Sequence, residues 1–310
     1  MLKNIIRFYT RYFAVFVVIC GVIAYIKPAP FIALKPFMSS FFALTMFGIG
    51  IVLDSRDFIA IARHPFPVFV GTVAQFTIMP LGAWIAARLF GLPPAIALGL
   101  ILTGSAPGAM ASNVMCYVAG ADTAYSVSLT TVSTLLTPLM TPGLTYLLAR
   151  EYFHIDFSAI FLSVVQMVIL PLIAGLALRY FLKSRINRII DIFPAVSVTF
   201  IIFICSLVIA LNKSYLGMIT VPVLSAVIAL NLQGMAAGYA TGSLFRFDIR
   251  RRRTLSIEIG MQNAGLGTVL ALKHFSEQSA IPTAAFVFIC IITASVMSEI
   301  WRRSSLNNAI

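Results

Sequence analysis

Charge is what this sequence has least of. Only 10% of its 310 residues are Asp, Glu, Lys or Arg, against roughly 25% in a soluble globular domain. Such a chain cannot clothe a surface that faces water, so a soluble protein is excluded. Acidic residues are scarcer still, at 10 against 22 Lys and Arg. The net charge of +12 would suit a nucleic-acid binder, but in a chain that is 60% hydrophobic it reads as basic loops on one side of a membrane. No nucleic-acid partner is expected. Histidine is almost missing: His64, His154 and His274 fall at segment edges or in loops, which leaves transition-metal chemistry without ligands. The four cysteines, Cys20, Cys116, Cys205 and Cys290, lie in apolar segments and form no CxxC pair, so buried free thiols are expected. Paired intramembrane aspartates and a His-Glu-x-x-His run are absent. That removes the intramembrane proteases, and the protein is not expected to be an enzyme. The alternating strands of an outer-membrane barrel are missing as well.

What the sequence does have is long apolar runs. Hydropathy and helix breakers place about ten spans, near 10–26, 37–53, 66–89, 93–119, 122–149, 157–182, 191–211, 217–245, 252–274 and 280–301. The basic-then-apolar N-terminus has the outline of a signal peptide. No small-x-small cleavage site closes it, so a retained first helix is expected. If the N-terminus lies inside, the outer segments hold Lys27, Lys35, Arg88, Arg150, Lys213 and Lys273. The inner segments hold the other basic residues, among them Arg250 to Arg253. That bias puts both termini in the cytoplasm of a multi-pass protein of the inner (plasma) membrane.

The two halves echo each other. Superposing Leu89-Phe90 on Leu244-Phe245 sets Ser105-Ala106-Pro107-Gly108 opposite Gly260-Met261-Gln262-Asn263, so the fourth and ninth spans are interrupted at matching places. Five spans per half would leave the halves upside down to one another. The expected fold is an all-α integral membrane protein, a single domain over 1–310. Residues 1–150 and 151–310 form two inverted five-helix repeats. Broken helices in inverted repeats point to a secondary transporter with its site near the bilayer midplane.

Glu258 is the acidic residue that reads as deep, and a buried carboxylate needs a partner. One reading is a structural pair with Arg252 or Arg253; the other is a cation ligand or proton carrier. Gln262 and Asn263 follow closely, and Gly260 and Gly265 permit unwound backbone. A carboxylate, amide oxygens and main-chain carbonyls make a plausible cage for a hard cation such as Na+. Ser112 and Asn113 follow the first break. In the next helix Ser126, Thr130, Ser133 and Thr137 share one face. Ser126 and Thr130 read as ligands, Ser133 and Thr137 as hydroxyls that help helices pack. Asp122 reads as an N-cap, and the isolated amide Gln75 as either packing or ligation.

"ASNVMCYVAGADTAYSVSLTT" and "TLSIEIGMQNAGLG" resemble the two signature regions of the bile acid:sodium symporter family, and the likeness runs over nearly the whole chain. It implies a panel domain (spans 1, 2, 6 and 7) and a core domain (spans 3–5 and 8–10) in which the broken spans 4 and 9 cross. It also implies two Na+ sites. The first would use Ser112, Asn113, Ser126, Thr130 and Glu258; the second Gln75, Glu258, Gln262 and the carbonyls of Ile259 and Met261. An organic anion would sit in the cleft before the half-helix N-termini, at Met110, Ala111, Asn263, Ala264 and Gly265, with Cys290 nearby. At two of these places the sequence departs from bacterial relatives: Met110 stands where Thr is common, and Ile289-Cys290-Ile291 where Trp-His-Asn is common.

The function that follows is Na+-coupled symport of an organic anion, such as a bile-acid-like steroid, pantoate or a 2-oxo acid, by alternating access. Na+ is the coupling ion and no other cofactor is expected. The partners are the anion, sodium and the lipid bilayer, and the expected state is a monomer. An exporter or proton-coupled carrier on the same fold is the alternative. An arsenite-type carrier using Cys116, and a channel, fit the residues less well.

Overall fold

The computed structural model describes residues 13–53, 59, 61–182, 192–213 and 221–307. The expected starts of the first, seventh and eighth spans lie outside the described residues. So do the basic residues Lys3, Arg7, Arg11, Arg56, Lys183, Arg185 and Arg188. Every long element among the described residues is helical. α1 (Phe13–Ile26) leads through a short turn (Ala29–Ala33) into α2 (Met38–Val52), and α3 is Pro65–Leu89. α4a (Pro94–Gly104) and α4b (Ala111–Val118) are separated by a break, and α5 is Thr123–Ala149. α6 runs from Phe157 to Leu182 through a π-helical turn at Val165–Ile169. α7 (Phe193–Leu211) and α8 (Val221–Leu244) precede the second break, between α9a (Ile249–Gly260) and α9b (Ala264–His274); α10 is Ala280–Asn307.

Among the described residues, six stretches are long and apolar enough to cross a membrane: Lys35–Val52, Pro65–Leu89, Thr123–Ala149, Phe157–Leu182, Val221–Leu244 and Ala280–Arg303. About ten were expected, and two of those are interrupted in the structure. A bilayer takes about 20 helical residues, whereas the two interrupted spans are pairs of half-helices of 11 and 8, and 12 and 11, residues. Val15–Ile26, Pro94–Gly104 and Ala195–Leu211 are shorter apolar helices among the described residues.

Helices α1, α2, α6 and α7 pack chiefly on one another, and α3, α4a, α4b, α5, α8, α9a, α9b and α10 form a second group. Close backbone approach holds α2 to α6. A Cβ on Gly50 would lie 2.1 Å from the Leu172 carbonyl, and one on Gly175 would lie 2.1 Å from that of Phe47. Small residues serve this purpose where lipid removes the usual hydrophobic drive.

α9a begins at Ile249, earlier than the expected 252, so Arg250 to Arg253 form its first turns. Arginines are unfavourable at the positive end of a helix dipole. Asp248 offsets this by accepting from Arg250 N and Arg251 N at 3.0 and 3.1 Å. Arg251 also pairs with Asp122 at 3.3 Å. Arg250 and Arg253 donate to the carbonyls of Ala121 and Ala119, each at 3.4 Å, just beyond the negative end of α4b.

Candidate ion site at two crossed helix breaks

Each break frees backbone groups that an apolar interior must satisfy. Here the two breaks satisfy each other. Gly108 and Gln262 form an isolated antiparallel bridge. Ala109 N donates to Met261 O at 2.9 Å, and Asn263 N donates to Pro107 O at 2.8 Å. Side chains close the remaining ends. Asn231 Nδ2 donates to Gly260 O at 2.8 Å and Thr141 Oγ1 to Ser105 O at 2.6 Å. Asn263 caps α9b by accepting from Leu266 N at 3.2 Å.

Glu258 stands in the last turn of α9a and is 2% exposed. Its Oε1 accepts from Ser112 and Ser126, and its Oε2 accepts from Thr130 at 3.0 Å. Asn113 Oδ1 lies 2.7 Å from Ser126 Oγ and 3.4 Å from Thr130 Oγ1. None of the ion pairs among the described residues includes Glu258, so the pairing with Arg252 or Arg253 is not what the fold builds. Gly108 lets the loop pass close by, since a Cβ there would sit 2.9 Å from Glu258 Oε2.

The cluster is rich in acceptors and poor in protons. Each hydroxyl has one proton to donate. Yet Ser112, Ser126 and Thr130 together approach both Glu258 oxygens, Asn113 Oδ1 and the carbonyls of Ala109 and Ser126. Oxygens that outnumber the available protons around a carboxylate form a setting for a hard cation.

A second cluster adjoins it. Gln75 Nε2 on α3 donates to Gln262 Oε1 at 2.7 Å and to Ala106 O at 3.4 Å, and Gln262 Nε2 donates to Ile259 O at 2.9 Å. Between α3, α5 and α9a lies a small cavity lined by Gly71, Thr72, Gln75, Leu129, Ser133, Glu258 and Ile259. Glu258 therefore faces both clusters.

Other expected residues fall less centrally. Met110 and Ala111 are half-buried at the start of α4b; Asn263 is half-buried and Ala264 and Gly265 buried at the start of α9b. A Cβ on Gly265 would meet Phe200 of α7 at 3.3 Å and Phe42 of α2 at 3.9 Å, so this end of α9b faces the other helix group. Cys290 is buried, with its thiol against Val287 O of its own helix at 3.4 Å, and no hydrogen bond joins it to the breaks. Asp122 caps α5 by accepting from Tyr125 N at 3.1 Å. Ser133, read as packing, accepts from Gly108 N at 3.4 Å. Sequence reasoning passed over Asn231 and Thr72. The one hint for Thr72 was its place one turn before Gln75.

A model described as the Sodium Bile acid symporter family matches residues 40–219. The chain belongs to this family. It is similar to a sodium-dependent transporter, YocS, of Bacillus subtilis, at 36% identity over 98% of this chain and 94% of that protein. It is also similar to the probable chloroplastic sodium/metabolite cotransporter BASS1 of Arabidopsis thaliana, at 36% identity over 84% of this chain and 66% of the relative. The corresponding BASS2 of rice is 32% identical over 98% and 73%. As a member of the sodium bile acid symporter family, the protein is a multi-pass membrane protein of a sodium-dependent transporter class. The family match ends before α9a, while the match to the Bacillus relative spans nearly the whole chain.

Proposed function

We propose that the protein is a Na+-coupled symporter of an organic anion that works by alternating access. One observation carries this reading. A buried carboxylate sits where two helix breaks cross, wrapped in hydroxyl and amide oxygens, with no ion-pair partner among the described residues. Na+ is the hard cation that such an oxygen set fits. In this reading Ser112, Asn113, Ser126, Thr130 and Glu258 hold one ion. Gln75, Glu258, Gln262 and the carbonyls of Ile259 and Met261 hold another.

The architecture is read as ten spans in two inverted repeats, 1–150 and 151–310. A detail of backbone supports the repeat. Gly91 and Arg246, which the alignment of Leu89-Phe90 with Leu244-Phe245 sets opposite each other, both have left-handed backbone, with φ of 58° and 56°. Both follow helices that end in the same way: Leu92 N donates to Ala87 O at 2.9 Å, and Phe247 N to Gly242 O at 2.8 Å. The helix group α1, α2, α6, α7 is the panel and the other group the core.

The anion is read to bind between them, before the N-termini of α4b and α9b, where the positive helix ends favour negative charge. Met110, Ala111, Asn263, Ala264 and Gly265 would line this place, and Cys290 would shape it sterically. Candidate solutes are a bile-acid-like steroid, pantoate or a 2-oxo acid. Arg246, Arg250 to Arg253, Arg302 and Arg303 support cytoplasmic termini and an inner-membrane location.

The test is thermal unfolding of the purified protein in Na+ and in K+ at matched ionic strength. A ligand that binds the folded state raises apparent stability by mass action. Na+ is expected to stabilise the wild type more than K+ does, and Glu258→Gln to erase the difference. Equal behaviour of the two ions on the wild type, or a proton dependence with no Na+ requirement, would sink this reading.

A further inference from the structure

The cavity beside Glu258 has a lining group that neither cation site uses. Thr72 lies on α3 with Gln75 one turn further on. Together with Ser133, Glu258 and Ile259 the two help line that cavity. Thr72 is 9% exposed, and its hydroxyl has no hydrogen-bond partner among the described residues. Several buried hydroxyls on the neighbouring helices behave differently. Thr103 donates to Gly99 O at 2.9 Å, and Ser128 to Ala124 O, Thr137 to Ser133 O and Thr268 to Ala264 O, each at 2.8 Å. That return to the carbonyl four residues back is the ordinary outlet for a hydroxyl in a helix. Thr72 does not take it, and its hydroxyl is left in an apolar interior. Ser105, Thr131, Thr145 and Ser206 also carry unpartnered hydroxyls, but none of them lines this cavity.

The surrounding groups say what the hydroxyl is suited to. The cavity brings the carboxylate of Glu258, the hydroxyl of Ser133 and the amide of Gln75 to one place. All can present oxygen, and none carries positive charge. A hydroxyl there adds a neutral oxygen ligand. It fills a coordination position without altering the charge balance that Glu258 sets.

We propose that Thr72 is a ligand of the second cation site, its hydroxyl oxygen closing the α3 side of the shell formed by Gln75, Glu258, Gln262 and the carbonyls of Ile259 and Met261. This assignment rests on the Na+-coupled reading above. Because the hydroxyl sets the number of oxygens around the ion, it also contributes to the choice of Na+ over other alkali cations.

The experiment is a Na+ titration of thermal unfolding, with K+ holding ionic strength constant, on wild type, Thr72→Val, Thr72→Ser and Thr131→Val. Thr72→Val keeps the branched shape and removes the hydroxyl. It is expected to raise the Na+ concentration for half-maximal stabilisation about three- to tenfold, the scale of one neutral hydrogen-bond-strength contact, with Thr72→Ser within about twofold of wild type. Thr131→Val removes a buried hydroxyl away from the cavity and is expected to leave the midpoint in place. A Thr72→Val midpoint equal to wild type, with Na+ still stabilising both, overturns the assignment and leaves the Na+ sites standing. A wild type that responds alike to Na+ and K+ overturns both. If Thr72→Val does not fold, Thr72→Ala against Thr72→Ser makes the same comparison: a higher midpoint for Ala supports the assignment, and equal midpoints overturn it.

Discussion

Ser126, Thr130, Ser133 and Thr137 share one face of α5, yet they do different things. Ser126 and Thr130 donate to Glu258, Ser133 accepts from the backbone of the break, and Thr137 Oγ1 donates to Ser133 O of its own helix at 2.8 Å. Their substitutions are therefore expected to separate. Ser126→Ala and Thr130→Val should raise the Na+ midpoint several-fold. Ser133→Ala should have a smaller effect on it, acting through Gly108. Thr137→Val should change melting temperature alone. Na+ titrations of the four variants check this; four equal shifts would mean that the whole stripe is packing. Asp122 is the other informative residue. It caps α5 and meets Arg251, so Asp122→Ala should lower stability by about 1 kcal/mol for the cap alone, measured by denaturation in K+.

At the scale of elements, contacts between helix backbones set what the fold tolerates. Gly50→Ala or Gly175→Ala places a methyl against a carbonyl that cannot move away without separating α2 from α6. Each is expected to destabilise by about 1–3 kcal/mol, as overpacking does. Gly21 is the control, because a Cβ there would meet only the end of the Ile209 side chain, at 2.9 Å. Gly21→Ala should be milder, and thermal unfolding of the three variants decides. The half-helices follow the same logic. Pro107 and Gly108 end one and Gly260 the other, and each break takes its hydrogen bonds from its partner. Neither break is self-sufficient, so the site is assembled only when both helices are in place.

Across the whole molecule, the proposed ion ligands come from α3, α4b, α5, α9a and the break that follows α9a, all in one helix group. The start of α9b instead faces Phe42 and Phe200 of the other group. Na+ binding should then depend on one group and anion binding on both. Phe42→Ala and Phe200→Ala are expected to weaken anion binding while leaving the Na+ midpoint close to wild type. Met110→Thr should change which anion is preferred with the same lack of effect on Na+. Linkage adds a further expectation: Na+ should tighten the anion by the same factor by which the anion tightens Na+. Thermal shifts across a carboxylate panel, with Na+ or K+, measure both. Loss of Na+ stabilisation in the phenylalanine variants would show that the two sites are not divided this way. The groups also meet through Lys35–Glu277 at 2.7 Å and His274–Ser163 at 2.8 Å. The first of these is half-exposed and contributes at most about 1 kcal/mol.

The class of the protein, its two helix breaks and the hydroxyl and amide side chains gathered around Glu258 were legible in the residues alone. Each depends on local pattern. A scarcity of charge speaks for lipid, Pro107-Gly108 and Gly260 interrupt helices wherever they occur, and hydroxyls at helical spacing share a face whatever packs against it. The family resemblance is carried by the same short stretches. What only the tertiary structure decided was which neighbours the apolar helices choose. α3 is apolar all round, so hydropathy cannot distinguish Phe69, 66% exposed, from Phe76, 5% exposed. For the same reason it could not find Thr72 beside the cavity, bury Cys290 in its own helix packing, or turn Arg250 and Arg253 onto the end of α4b. In water, burial leaves a periodic mark on a helix. In lipid both faces are apolar, and the positions of buried groups are written in packing between segments far apart in the chain.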